Sequence, residues 1–239
     1  GLAGPRRIRA GSARDHLLGL EAVSGRGERF KAGAKVVKNV TGYDLPKLIA
    51  GSFGTLAIMT EMTLKVLPAP EDAVTLVLPM AAAPAVAAMA RLQAGPLEPT
   101  ALAWLPSTLA RAADLPDARD GALLVRFEGP DGALADRVGR AEESGLGGCA
   151  AVLDLDHSQK LWNWIAEVVP ILAPESREVV WRLSVPPAAG AALLYDAVAG
   201  VGARGFIDWG GGLVWLAVPA EAGDDGGATA LRALVARHG

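Results

Sequence analysis

Pro68-Ala-Pro70, followed at once by Glu71 and Asp72, is the feature that most limits how this chain can fold. Each proline fixes φ and removes a backbone donor, so no strand runs through the pair and the connection is stiff. The 239 residues therefore have to be built as two segments, 1–68 and 69–239, the second expected to be incomplete at its C-terminus. Half of the chain is apolar (51%), enough side chain to offset ordering entropy, so wholesale disorder is excluded.

In the first segment, Asp15 to Val23 reads as a strand and Ser24-Gly-Arg-Gly27 as a turn. Asp44-Leu-Pro-Lys-Leu-Ile-Ala-Gly51 reads as a short helix, with Asp44 at its N-cap, Pro46 in its first turn and Gly51 just past its end. A long strand follows, where Leu56, Ile58, Met62, Leu64 and Val66 share one face. Period two over that span predicts that this face is core.

In the second segment, strand patterns near 73–78, 100–105, 122–128, 149–155 and 178–185 alternate with helix patterns near 84–94, 132–143, 158–169 and 187–199. A hairpin of 204–209 and 213–218 then turns on Gly210-Gly-Gly212, and Ala228 to His238 makes a last amphipathic helix. This order predicts an α+β fold, an antiparallel sheet with helices on one face, of ferredoxin-like type.

Residues 1–70 carry eleven Lys/Arg against five Asp/Glu, whereas the remainder carries twelve against twenty-one. A short basic part with Arg6, Arg7, Arg9 and Arg14 suits an anionic cofactor better than nucleic acid, since it holds only three aromatics, Phe30, Tyr43 and Phe53. The single cysteine, Cys149, rules out an internal disulfide framework and a Cys-based zinc site. The longest uncharged run, 73–90, is interrupted by Pro79 and Pro84 and reads as a strand then a helix, with no transmembrane segment. Asp154-Leu-Asp156-His157 has metal-like letters but no partner spacing elsewhere, so no metal is expected and the acids are read as a helix cap.

Glycines recur at Gly4, Gly11 and Gly51-Ser-Phe-Gly54-Thr55. The last group follows a helix and precedes a strand, the reverse of the strand-glycine-helix order in Rossmann and P-loop phosphate sites. Order and spelling together say more. Gly4-Pro-Arg-Arg7, Gly11-Ser-Ala-Arg-Asp15-His-Leu-Leu-Gly19, Lys38-Asn-Val-Thr-Gly-Tyr-Asp44-Leu and Gly51-Ser-Phe-Gly-Thr-Leu-Ala-Ile-Met-Thr60-Glu resemble the FAD-binding domain of the vanillyl-alcohol oxidase and p-cresol methylhydroxylase flavoproteins. Within that family the spelling looks most like the E-type FAD-binding subunits of bacterial glycolate oxidases, and Trp181-Arg-Leu-Ser-Val-Pro186 fits the same branch.

The resemblance implies that 1–68 is the C-terminal part of an FAD-binding domain and 69–239 a cap over the flavin. It implies FAD contacts from Gly4, Pro5, Arg7, Gly11, Ser12 and Asp15 along the ADP portion, from Gly54, Thr55, Ala57 and Ile58 along a strand, and from Asn39, Gly42 and Tyr43 toward the flavin. The simpler accounts of Asp44 and Tyr43 are a helix cap and a packing residue. Three departures go with it: the family's first subdomain would precede residue 1, Phe53 replaces a common Glu, and the cap lacks the His-Gly-Asp-Gly-Asn-x-x-His pattern of the catalytic branch. The first methionine is Met59, so the chain is expected to be a processed product or part of a longer one.

The implied activity is oxidation of a 2-hydroxy acid, glycolate to glyoxylate, with a related FAD-containing D subunit and an iron-sulfur subunit as partners. The implied location is the cytoplasm, at the inner face of the membrane through those partners. No catalytic base is identifiable, and the rival reading is a noncatalytic docking module. Arg182, which alternates away from Trp181 and Leu183, is the candidate for a substrate carboxylate, because its planar fork matches a carboxylate bidentately. A solvated arginine is the plainer alternative.

Overall fold

The computed structural model describes residues 3–34, 42–130, 132–144, 146–173, 175–223 and 225–239. The chain divides into two compact units: Gly1–Ala3 with Ala10–Ala69, and Gly4–Arg9 with Pro70–Gly239. The short piece Gly4–Arg9, early in the sequence, is thus counted with the later residues.

Helix α1 (Arg7–Ala10) is a single turn. In the smaller unit, after a second one-turn helix, α2 (Ala13–His16), strands β1 (Leu17–Ser24) and β2 (Arg29–Gly33) form a hairpin through the Ser24–Gly27 turn. Helix α3 (Leu45–Ile49) then leads through Gly51, at φ +86°, into β3 (Ala57–Leu64), which pairs antiparallel with β1 to give the order β2-β1-β3. Asp44 caps α3 by accepting from the Lys47 amide at 3.2 Å. Gly33 sits where β1 and β2 come closest, and a Cβ there would lie 2.2 Å from the Leu18 carbonyl oxygen.

The core of this unit is small: Leu17, Leu20, Ala22, Ile49 and Ala57, with Phe30, Ala32, Leu45 and Ala50 against it. The face of β3 expected to be core is instead exposed. Ile58 is 67% exposed and Val66 83%, and Leu56, Met62 and Leu64 are exposed with them. Alternation in a strand says that two faces differ, not which is covered. Here α3 covers the side that Ala57 enters, and bulges in the β1–β3 pairing at Leu17/Gly19 and Glu21/Ala22 adjust the alternation along the pair.

The larger unit is one seven-stranded antiparallel sheet. Its strands are β4 (Asp72–Pro79), β5 (Ala101–Leu105), β6 (Ala122–Gly129), β7 (Ala151–Leu153), β8 (Val179–Ser184), β9 (Arg204–Asp208) and β10 (Leu213–Val218), in the order β7-β4-β6-β5-β9-β10-β8. Helices α4 (Ala82–Ala94), α6 (Leu134–Glu143), α8 (Gly190–Val201) and α9 (Ala228–His238) cover the face that carries Leu76, Leu123, Val125, Phe127, Ile207 and Leu216. This is the α+β arrangement that the sequence order predicts. Val86, Met89 and Leu92 recur on one side of α4 and are buried, each contributing about 1.5–3 kcal/mol by removal from water.

The opposite face of the sheet is partly covered as well. Helix α7 (Leu155–Ala166) packs on it through a buried polar contact, in which the Thr75 and Ser158 hydroxyls meet at 2.6 Å and the Trp162 indole donates to Thr75 Oγ1 at 2.8 Å. Helix α5 (Ser107–Ala112), which the alternation of patterns does not reveal, starts directly after Pro106 and is only six residues long. None of the helices in the described residues is long and apolar enough to cross a membrane.

Candidate functional site

The far face of the larger unit gathers charge at the end of β9. Residues paired across antiparallel strands share a face, so Arg182 on β8, opposite Trp215, lies on the same side as Phe206, Asp208 and Leu213. Trp181 and Leu183 turn to the helix-covered side, and the Trp181 indole donates to the Gly226 carbonyl at 2.8 Å.

The turn between β9 and β10 organises this end. Trp209 has φ +53°, a left-handed conformation that costs a bulky residue on the order of 1–3 kcal/mol, and Gly210 and Gly211 follow at φ +65° and +105°. Two contacts fix Trp209 there. Its amide donates to Asp208 Oδ1 at 2.7 Å, and its indole N–H donates to the Gly4 carbonyl oxygen at 3.2 Å. Gly211 has to be glycine, because a Cβ would lie 2.4 Å from the Pro187 carbonyl oxygen.

Two guanidinium groups stand over this one indole, Arg7 at 4.3 Å and Arg182 at 4.7 Å from the ring centroid. Among the described residues neither arginine makes an ion pair. Burial first and the nearby Arg7 charge second lower the Arg182 pKa, while Asp208 opposes them. Asp208 is 2% exposed, and its burial raises its pKa from 3.8 to about 7, against the Trp209 amide and the Arg182 charge. The arrangement is a pair of cations on an aromatic platform above a buried acid that is half protonated near neutrality. Such a site can receive an anionic group, and its planar forks match a carboxylate.

Of the residues expected from sequence to bind, Gly4, Pro5, Arg7 and Arg182 fall in this larger unit, and Gly4, Arg7 and Arg182 meet at Trp209. Pro5 is buried. The others that are described fall in the smaller unit. Gly11 is at φ +85°, and the Ser12 amide and hydroxyl both donate to Asp15 Oδ2 at 2.7 Å, so that carboxylate closes a capping box. Gly42, Gly51 and Gly54 have positive φ and nothing within 4 Å of where a Cβ would lie, which leaves their backbone open to a flat group. Tyr43 is 94% exposed, so packing among the described residues does not account for it. Thr55 Oγ1 donates to the Ser52 carbonyl at 2.7 Å; Ala57 is buried and Ile58 exposed at the start of the edge strand β3, whose outer backbone groups lie outside the ladder. Asn39 lies outside the described residues.

Sequence reasoning missed Asp208 and Trp209. Their signal was faint: an acid and an aromatic placed directly before three glycines, which reads as a hairpin turn and nothing more. Asp154, read as a cap, accepts from the His157 amide at 3.0 Å and from His157 Nδ1 at 2.7 Å. No group of three metal-ligating side chains occurs among the described residues.

No family model matches the chain. The chain is nevertheless homologous to FAD-linked oxidoreductases. It is 33% identical over 222 residues to the glycolate oxidase subunit GlcE of Escherichia coli K12, covering 92% of this chain and 54% of that one. It is 45% identical over 73 residues to the glycolate oxidase subunit GlcD of Bacillus subtilis 168, 30% of this chain and 16% of that one. An uncharacterized FAD-linked oxidoreductase of Mycobacterium tuberculosis, Rv2280, is 39% identical over 106 residues, 44% of this chain and 23% of that one. Among solved structures, alkyldihydroxyacetonephosphate synthase aligns with a TM-score of 0.66 at 18% identity, over 99% of this chain and 51% of its own, which shows that the two share a fold. The chain thus spans about half the length of GlcE and of the synthase.

Proposed function

We propose that this chain forms part of the FAD-binding subunit of a complex that oxidises a 2-hydroxy acid, glycolate to glyoxylate. The observation that carries the reading is its likeness to GlcE along nearly its whole length. The open glycine backbones at Gly42, Gly51 and Gly54 and the Arg7 and Arg182 guanidiniums at Trp209 fit a flat, anionic cofactor and an anionic substrate. A GlcD-like subunit and an iron-sulfur subunit are the proposed partners, and the cytoplasm, at the inner face of the membrane, is the proposed location.

FAD, when bound, supplies the acceptor for the hydride that leaves carbon 2 of the substrate. This chain's own part is to hold the substrate. The Arg182 fork takes the carboxylate, Arg7 adds a second positive charge, and the Trp209 ring keeps water from one side of both. As the hydride leaves, the hydroxyl proton passes to a base, which we do not assign to any residue of this chain. Gly4, Pro5, Gly11, Ser12, Asp15, Gly42, Tyr43, Gly54, Thr55, Ala57 and Ile58 are the proposed cofactor contacts in the described residues, with Asn39 beyond them, while Arg7, which the resemblance implied along the ADP portion, is proposed at the substrate because it meets Arg182 at Trp209.

The test is genetic and chemical together. Extracts of the source cells should reduce a dye when given glycolate, and disruption of the gene for this chain should abolish that reduction, with recovery on complementation. Undiminished reduction in the disrupted strain would count against the reading.

A further inference from the structure

A second charged cluster lies in the larger unit, apart from Trp209, and none of its members except Arg6 stands in a recognisable motif. Arg126 on β6 and Glu128 two residues on share the sheet face that α7 covers, and both side chains are only 5% exposed. Arg126 Nη2 donates to Glu128 Oε1 at 3.1 Å and to Gln159 Oε1 at 3.0 Å, while Arg6 Nε meets Glu128 Oε2 at 3.0 Å. Gln159 in turn donates to Asn163 Oδ1 at 2.7 Å. These residues and Trp162 line an open cavity of about 330 Å³.

Two features of the cluster are unbalanced. Among the described residues two guanidiniums share one carboxylate, which leaves one positive charge without a partner there, where burial already disfavours charge. Arg126 Nε is buried and has no hydrogen-bond partner among the described residues, an uncommon state for a native donor. A brace made only for stability would be expected to close both accounts within the protein. An acceptor-bearing monoanion closes them together, since one negative charge neutralises the cluster and a carboxylate accepts from planar N–H groups. A dianion would overshoot.

We propose that this cavity, which Gly4 and Pro5 also line and which adjoins the Trp209 cluster through Gly4, is an anion site of its own that takes a small organic monocarboxylate between Arg126 and Arg6. Arg6, with its side chain 45% exposed, stands at the solvent end and Arg126 at the buried end. Gln159 and Asn163 supply the neutral polar wall. The proposal does not rest on the glycolate reading.

Its test uses the indole N–H resonance of Trp162, which lines the cavity, in the full chain titrated with acetate, and with chloride and phosphate as separate arms. Acetate should move that resonance saturably. Arg6→Gln should weaken the response by roughly tenfold or more, the scale of a lost charged hydrogen bond. Arg182→Lys should leave it unchanged. Because Arg126→Met strands Glu128 and can unfold the chain, Gln159→Leu serves as the second variant, with weaker acetate binding expected and the fold checked by the remaining indole resonances. A non-saturable shift, tighter binding of phosphate than of acetate, an equal response to chloride, or a response abolished by Arg182→Lys but not by Arg6→Gln would each overturn the proposal.

Discussion

Arg7 and Arg182, 175 positions apart in sequence, place their guanidinium carbons 4.3 and 4.7 Å from the centroid of the same indole, that of Trp209. Like charges repel, and Arg7 is one of the influences that lower the Arg182 pKa. An anion held by Arg182 relieves that repulsion. Arg182→Lys keeps the charge and loses the fork, so kcat/KM for glycolate in the assembled enzyme should fall by about 1–3 kcal/mol in transition-state terms, with flavin content unchanged. Steady-state kinetics on the two proteins decide it, and equal kcat/KM values would reduce Arg182 to a surface residue.

Asp208 makes a pH prediction of unusual sign. Its pKa is about 7 in the fold against 3.8 for the free side chain, so between these values the folded chain keeps a proton that the unfolded chain has lost. Stability should therefore fall as pH rises from about 4 to about 7, by up to roughly 4 kcal/mol, and level off above that. Asp208→Asn keeps an acceptor for the Trp209 amide and removes the titration. Urea midpoints measured on both proteins at about pH 5 and about pH 8 should converge at the lower value and favour Asn at the higher. A parent no less stable at the higher pH, relative to Asn, would contradict this.

His16 works in the usual direction for a histidine. Its two ring nitrogens lie 2.6 Å from the Ala10 carbonyl and 2.9 Å from the Lys65 carbonyl, both acceptors, so the doubly protonated ring is favoured and its pKa is raised, the Ala10 bond being the larger cause. The stability it adds is complete below the unfolded value of 6.5 and is lost as pH rises through the raised folded value. An NMR titration of the ring should show a midpoint above that of free imidazole in peptides. A midpoint at or below it would mean that one of the two bonds is not made in solution.

Gly205→Ala tests the packing of β9 on β10. A Cβ at this position would lie 2.1 Å from the Trp215 carbonyl oxygen, a main-chain atom of the paired strand that cannot step aside without breaking the ladder. Destabilisation of about 1–3 kcal/mol is expected by overpacking, read as a lower denaturation midpoint. The same substitution at Gly200, which has nothing within 4 Å, should be close to neutral or stabilising, since that residue is inside α8.

Much of the larger unit was legible in sequence because its signals are local. Alternation gave β4, β5 and β6, the 3.6-residue period gave α4 and α9, and three glycines marked the β9–β10 turn. Helix α5 was not legible, being only six residues long beyond Pro106, and neither was β2, whose five residues alternate without a large apolar stripe. The inward face of β3 was misread because burial depends on which neighbour arrives, and Ala57 carries less hydrophobic signal than Ile58 or Met62. The site was legible in half. Arg182 could be singled out by its alternation, whereas Asp208, Trp209, Arg126 and Glu128 act through residues far away in sequence that only the strand order brings together.

We propose that this chain takes part in holding the flavin that glycolate reduces. The direct measurement is to purify from its source the natural assembly containing this chain, in unaltered form and with the substitution Arg182→Lys, and to mix each with glycolate without air while following the visible absorbance of oxidised flavin. Glycolate should bleach the flavin of the unaltered assembly, and should do so about tenfold or more slowly at low glycolate in the variant. An assembly that carries no flavin, or whose flavin glycolate leaves fully oxidised, would contradict it.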